Sequence, residues 1–115
     1  MTFPAAMRFV RLARIGVASI ARRNGVSVRS IDDLRLAIDE VFSLLLHDED
    51  HHGSVDITFE IDDEHLAVTV TQRLANGVLA FRPDDLIRFD VVMTDLVDES
   101  TANTEDGIVR FAKLL

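Results

Sequence analysis

The sequence contains no cysteine, tryptophan or tyrosine, and only two prolines and five glycines in 115 residues. Without cysteine, disulfides, thiolate metal sites and cysteine nucleophiles are excluded. Seven Phe are too few, with no Tyr or Trp beside them, to suggest an aromatic platform for single-stranded nucleic acid. No apolar run approaches the roughly 20 residues that a membrane span needs. Arg8, Arg11 and Arg14 also interrupt any secretory core segment at the start. Acid is missing from residues 1–31, which hold six Arg, whereas residues 32–115 hold all 20 acids against six bases. The net charge of −8 argues against general nucleic-acid binding. The Arg-rich, acid-free start is also the composition of mitochondrial presequences.

What is present is an ordinary globular composition, 48% hydrophobic and 28% charged, of a length that predicts one domain over 1–115. Helical periodicity runs from about Ala5 to a C-cap at Asn24-Gly25. At about 100° per residue, Phe9, Val10, Ala13, Gly16, Val17, Ile20 and Ala21 share one stripe. The opposite face holds Arg8, Arg11, Ser19, Arg22 and Arg23 together with Leu12 and Ile15, and Arg14 falls on the border. A second helix is predicted from Ser30, where Ser30-Ile31-Asp32-Asp33 is like a capping box, to about His47. Its inward residues are Leu34, Ile38, Val41, Phe42 and Leu45. The alternating Val55-Ile57-Phe59-Ile61 and Leu66-Val68-Val70 predict a hairpin of half-buried strands. A loop spans 73–83, and a third helix follows Pro83 with Leu86, Phe89, Met93, Leu96 and Val97 inward. Asp106-Gly107 marks a tight turn, and Ile108 to Leu115 is the closing strand. These elements predict an α+β, two-layer sandwich, three helices on one face of a mostly antiparallel sheet.

In the second helix, Asp33-Leu34-Arg35-Leu36-Ala37-Ile38-Asp39-Glu40-Val41 resembles the N-box helix of the anti-sigma factor serine kinases. These form the RsbW-type branch of the histidine-kinase-like (GHKL, or Bergerat) ATPases. Arg14-Ile15-Gly16-Val17-Ala18-Ser19 is similar to the family's first helix, and Leu66-Ala67-Val68-Thr69-Val70-Thr71 to the strand leading into its adenine-binding motif. Leu96-Val97-Asp98-Glu99 and Glu105-Asp106-Gly107 resemble its last helix and closing hairpin. The resemblance covers nearly the whole chain, implies the Bergerat fold with a shortened lid, and sets the presequence reading aside. Pro4-Ala5 matches the turn after the family's first edge strand, although almost no strand is expected before it.

The resemblance also implies what has changed. The family's general-base glutamate corresponds to Glu40, but the magnesium-ligating asparagine one turn later corresponds to Leu44. At i and i+4 both side chains share a helix face, so hydrocarbon stands where a divalent cation needs oxygen. The family's adenine-binding Asp-x-Gly corresponds to Gln72 and Leu74, and its glycine-rich phosphate stretch to Leu86-Ile87-Arg88-Phe89. Ile87 and Phe89 therefore occupy positions where backbone amides would approach phosphate. The expectation is a degenerate ATP site, an idle Glu40, and no cofactor. The alternative is an ATP- and magnesium-dependent serine/threonine kinase with atypical ligands.

Other clusters carry less. His47-Asp48-Glu49-Asp50-His51-His52 has metal-capable side chains but no spacing of a metal motif, and Ser19 and Ser43 lack a His-Asp constellation. The basic face of the first helix is different, since Leu12 and Ile15 among arginines have the composition of a protein interface. The resemblance places partner contacts there, Arg14 matching the family's arginine by spacing, with Arg11, Leu12 and Ile15 beside it. The expected partners are a sigma factor or an anti-anti-sigma (STAS) protein, with no direct nucleic acid and no membrane. The implied location is the cytoplasm, and an incompletely covered sheet edge suggests a homodimer.

Overall fold

Apolar and polar residues alternate along Gly53–Ile61 (β2) and His65–Leu74 (β3), and that alternation gives the sheet one dry face. In the computed structural model, which describes residues 1–115, these strands pair antiparallel with Val55 opposite Gln72, Ile57 opposite Val70 and Phe59 opposite Val68. Ile108–Leu114 (β5) continues the same face, setting Phe111 against Val68 and Val109 against Val70. Cross-strand partners share a face, so these residues form a continuous apolar floor. The other face carries the row Thr58, Thr69, Arg110 and Thr101.

Two strands complete the sheet. Thr2–Pro4 (β1) pairs with Ser54–Asp56, and Glu99–Asn103 (β4) pairs with β5. The order is β1-β2-β3-β5-β4, antiparallel throughout. Neither strand is marked by periodicity in the sequence. The strand before Pro4-Ala5 does exist, because three residues suffice when Met1 also exchanges two backbone hydrogen bonds with Ile57. β4 is the partner strand that the expected closing hairpin at Asp106-Gly107 calls for.

Three helices cover the apolar floor: Val10–Arg23 (α1), Val28–Leu46 (α2) and Pro83–Leu96 (α3). α2 lies between the other two. α1 begins later than predicted, since Ala6 is extended and Met7–Phe9 form a 3-10 turn. α2 begins earlier: Ser27, not Ser30, is its N-cap, with its hydroxyl accepting from Ser30 N at 3.2 Å. The serine at the cap position three residues before the amide makes that bond, leaving Ser30 inside the first turn. α3 opens on Pro83 with Asp84 and Asp85 in its first turn, where the helix dipole favours acids. Val97 is extended, outside the helix expected to contain it, yet buried as the chain turns into β4. The core between the layers joins 25 buried residues, with Phe42, Phe89 and Phe111 the largest of the fully buried side chains. Only one buried side chain is polar, Gln72.

Candidate functional site

Gln72 sits on the inward face of β3, beneath the C-terminal end of α2. Its Nε2 donates to Leu45 O at 3.0 Å and to Leu79 O at 3.4 Å, and its Oε1 accepts from Leu79 N at 2.6 Å. Buried polar atoms must be paired, and this amide finds its partners in the chain itself. Gly107 packs directly against it, accepting from Gln72 N at 2.9 Å. A Cβ at Gly107 would stand 2.3 Å from Gln72 Cγ, and its φ of +64° favours glycine in any case.

The segment from Ala75 to Arg82 lies down over this point. Leu79 is held by Gln72, Ala80 O lies 2.9 Å from His47 Nε2, and Phe81 N donates to Thr104 Oγ1 at 2.9 Å. Three consecutive residues are thus anchored to three separate places in the chain: β3, the end of α2 and the turn after β4. Phe81 is buried and closes the core at this end.

The other positions that the resemblance assigns to nucleotide binding are scattered. Glu40 on α2 is partly covered and accepts from Arg88 Nη2 at 3.3 Å. Leu44, one turn on, is in the core and has no oxygen to offer a cation. Phe89 is likewise a core residue, whereas Ile87 points outward and Leu74 is half-buried at the end of β3. No surface hollow is lined by Leu44, Gln72, Ile87 or Phe89. The residues present therefore do not fit magnesium and adenine as the family holds them.

The polar loop 47–52 is also engaged in the fold. His51 Nε2 lies 2.8 Å from Leu46 O, Asp48 accepts from Ser43 Oγ at 2.6 Å, and Asp50 accepts from Met7 N at 3.2 Å. Its side chains do not converge into a group of three possible metal ligands.

On the opposite side of the helical layer, α1 shows Arg11, Leu12 and Ile15 to solvent, the two apolar residues being 51% and 55% exposed. Arg11 has no ion pair, but Arg14 donates to Asp39 Oδ2 at 3.1 Å. The other Asp39 oxygen is buried without a partner. Between α1 and α2 lies an open hollow of about 490 Å3, floored by Ile15 and Leu36 and rimmed by Arg11, Arg14, Arg35 and Asp39.

Sequence reasoning did not foresee the Gln72 clasp or the Arg14–Asp39 pair, because both join residues far apart in the chain. It also passed over the outward Ile87 and Val91 of α3, although their i, i+4 spacing opposite Phe89 and Met93 is a readable signal.

Comparison with known proteins agrees with this architecture. Residues 3–85 match the family described as histidine kinase-like ATPase domain. A serine-protein kinase RsbW of Oceanobacillus iheyensis is 29% identical over 76 residues, 64% of this chain and 48% of that protein. One from Halalkalibacterium halodurans is 30% identical over 74 residues, 64% of this chain and 46% of its own. The Bacillus subtilis protein of the same name is 27% identical over 111 residues, 94% of this chain and 63% of its own. The matched region thus spans between about half and two-thirds of these curated relatives. With the antiparallel sheet under three helices already in place, the match over most of its length shows that this chain belongs to the histidine kinase-like ATPase domain family.

Proposed function

We propose that the chain is a regulatory protein-binding module, an anti-sigma-factor-like protein that captures a sigma factor or a STAS-type antagonist without ATP hydrolysis. The observation that carries this reading is the Gln72–Leu79 clasp. At the position where the family recognises adenine, the amide's acceptor and donor are both engaged by the protein's own backbone. A nucleotide would have to displace Leu79 and strip Phe81 from the core, and Leu44 would then give magnesium nothing. Each lost polar interaction is worth about 1–3 kcal/mol when charged or buried partners are involved, so two together cost roughly a hundredfold in affinity or more.

The docking face in this reading is α1, where Arg11, Leu12 and Ile15 combine cationic and apolar surface beside the hollow against α2. Such a mixture suits an acidic, partly apolar protein surface. The reading places the protein in the cytoplasm with its partners.

The test has two arms. Titration calorimetry with ATP and magnesium at millimolar concentration is expected to show no saturable heat. A quantitative pull-down against purified sigma factors and STAS-domain proteins is expected to retain a partner, and Leu12→Asp to lose it. Saturable micromolar ATP binding overturns the reading in favour of the serine kinase, the activity that the relatives' names carry and that Glu40 would serve.

A further inference from the structure

Between α2 and α3 lies an open hollow of about 310 Å3, separate from the one against α1. Its floor is apolar: Leu36 of α2 and Val91 of α3 are both more than half exposed, and Leu96 lies beside them. Its rim carries Asp39, Glu40 and Asp95, and no cationic side chain lines it. The hollow against α1 differs in sign, since Arg11, Arg14 and Arg35 stand around it. Exposed apolar surface rimmed by polar groups marks an interaction site.

The carboxylates of this rim are not fully met within the chain. Asp95 is exposed and makes no ion pair. Asp39 gives one oxygen to Arg14, and its other oxygen is the single buried side-chain N or O atom without a hydrogen-bond partner. An unpaired buried acceptor carries a cost that a docking donor removes. Glu40 is held by Arg88, whose side chain is itself exposed.

Helix geometry sets the spacing of these acids. Lys113 joins Asp33, near the start of α2, to Leu96 O at the end of α3, so the two helices run antiparallel. Arg88 reaches Glu40, which puts the two at one level, and Asp95 stands seven residues further along α3. Seven residues rise about 10 Å, close to two helical turns. Negative charge therefore flanks the apolar floor at two points about two turns apart. A helix laid along the groove meets both points with cations seven residues apart, and presents the side chains between them to the floor.

We propose that the α2–α3 groove docks an amphipathic helix of a different protein, one with basic residues seven apart on either side of an apolar pair. The apolar pair packs on Leu36 and Val91, one cation meets Asp95, and the other meets Asp39 and Glu40. The chain's own basic helix does not suit the groove. On α1 only Arg14 and Arg22 come near that spacing, and Arg14 is already engaged by Asp39. The acidic rim repels phosphate, which sets nucleic acid and anionic lipid aside. This docking does not depend on what α1 binds, and it gives the helical layer two faces of opposite preference.

The probe is a fluorescein-labelled synthetic helix of about four turns, with two lysines seven residues apart, leucines between them, and alanine and glutamine elsewhere. Fluorescence anisotropy with the wild type is expected to show saturable micromolar binding. The same peptide with both lysines replaced by glutamate is expected to show none. Asp95→Lys and Val91→Lys, both at exposed positions, should each weaken the lysine peptide by roughly tenfold or more. A peptide with one lysine replaced by glutamate should bind Asp95→Lys more tightly than it binds the wild type, a reversal that a misfolded variant cannot produce. Leu12→Asp, on α1, should bind the lysine peptide as the wild type does. Absence of saturable binding overturns the proposal. So does binding that ignores Asp95→Lys and Val91→Lys, or that Leu12→Asp abolishes, since either places the peptide elsewhere. A wild type that sediments as a dimer while Val91→Lys sediments as a monomer gives the groove to a second copy, and overturns the proposal as well.

Discussion

Gln72 holds Leu79 by both faces of its peptide backbone, accepting from its N–H at 2.6 Å and donating toward its carbonyl at 3.4 Å. The only buried polar side chain of the protein thereby fastens the segment 75–82 to the sheet. Truncation leaves Leu45 O and Leu79 N without this partner, and unpaired buried groups cost about 1–3 kcal/mol. Gln72→Ala is therefore expected to lower unfolding free energy by about that much, read from urea denaturation. Proteolysis should also rise within residues 75–82.

Gly107 is coupled to the same clasp. Gly107→Ala brings a Cβ to 2.3 Å from Gln72 Cγ at a positive φ, which should cost about 1–3 kcal/mol through overpacking and strain. In the double variant with Gln72→Ala the side chain in the way is gone, so the two losses should sum to less than their separate values. A double-mutant cycle by thermal or urea denaturation measures this. Full additivity would show that the strain lies in the backbone alone.

Leu44→Asn restores the residue type that the family uses for magnesium. In this protein the side chain belongs to the core, so the change removes apolar packing and buries an amide. It is expected to destabilise by about 2–5 kcal/mol, as large core truncations do, and to confer no ATP binding in calorimetry. Glu40→Gln, by contrast, disturbs only the Arg88 pair, whose arginine is 72% exposed. Exposed pairs contribute about 0–1 kcal/mol, so this variant should melt near the wild type.

The layers were legible in the sequence where one period dominated. Val55, Ile57 and Phe59 announce β2, and Leu34, Ile38 and Val41 announce α2, because burial of one face is enforced residue by residue. β1 and β4 were not legible from periodicity, being three and five residues long and stabilised by neighbours distant in the chain. The resemblance would set a magnesium ligand at Leu44, and side-chain type alone says that hydrocarbon there offers no oxygen. The fate of Gln72 could not be read, since its partner Leu79 reaches it by a loop path that no local pattern encodes. Likewise the outward Leu12 and Ile15 follow from the helical wheel, but the engagement of Arg14 by Asp39 depends on how α1 and α2 pack.

Asp56 gives the N-terminal strand a pH dependence. Its carboxylate accepts from Thr2 Oγ1 at 2.7 Å and from Arg73 Nε, and these bonds hold its pKa below the usual aspartate value. A depressed carboxylate pKa stabilises the folded state fully above the unfolded value, and this contribution disappears as pH falls through the folded one. Protection of the Thr2–Pro4 pairing against hydrogen exchange, taken relative to the intrinsic rate at each pH, should therefore fall as Asp56 protonates, below the ordinary aspartate range. Asp56→Asn should show the lower protection already at neutral pH and lose that acid step.

Arg14→Glu is the obvious charge reversal on the proposed docking face, but the structure makes Arg11→Glu the cleaner one. Arg14 neutralises Asp39, whose second oxygen is buried and unpaired. Reversal there presses two carboxylates together at the α1–α2 contact, so a loss of binding would carry a loss of helix packing with it. Arg11 is exposed and makes no ion pair, and surface changes of this kind usually stay within about 0.5 kcal/mol. Arg11→Glu and Leu12→Asp should each melt near the wild type, while Arg14→Glu melts lower. If α1 is where a partner docks, both exposed variants should weaken capture by roughly tenfold or more, the range for interface anchors losing 1.4 kcal/mol or more. Circular dichroism melts and a quantitative pull-down on the same samples separate the two effects. Equal capture by wild type, Arg11→Glu and Leu12→Asp would move the working surface away from α1, with the Glu40 side of α2 the next place to mutate.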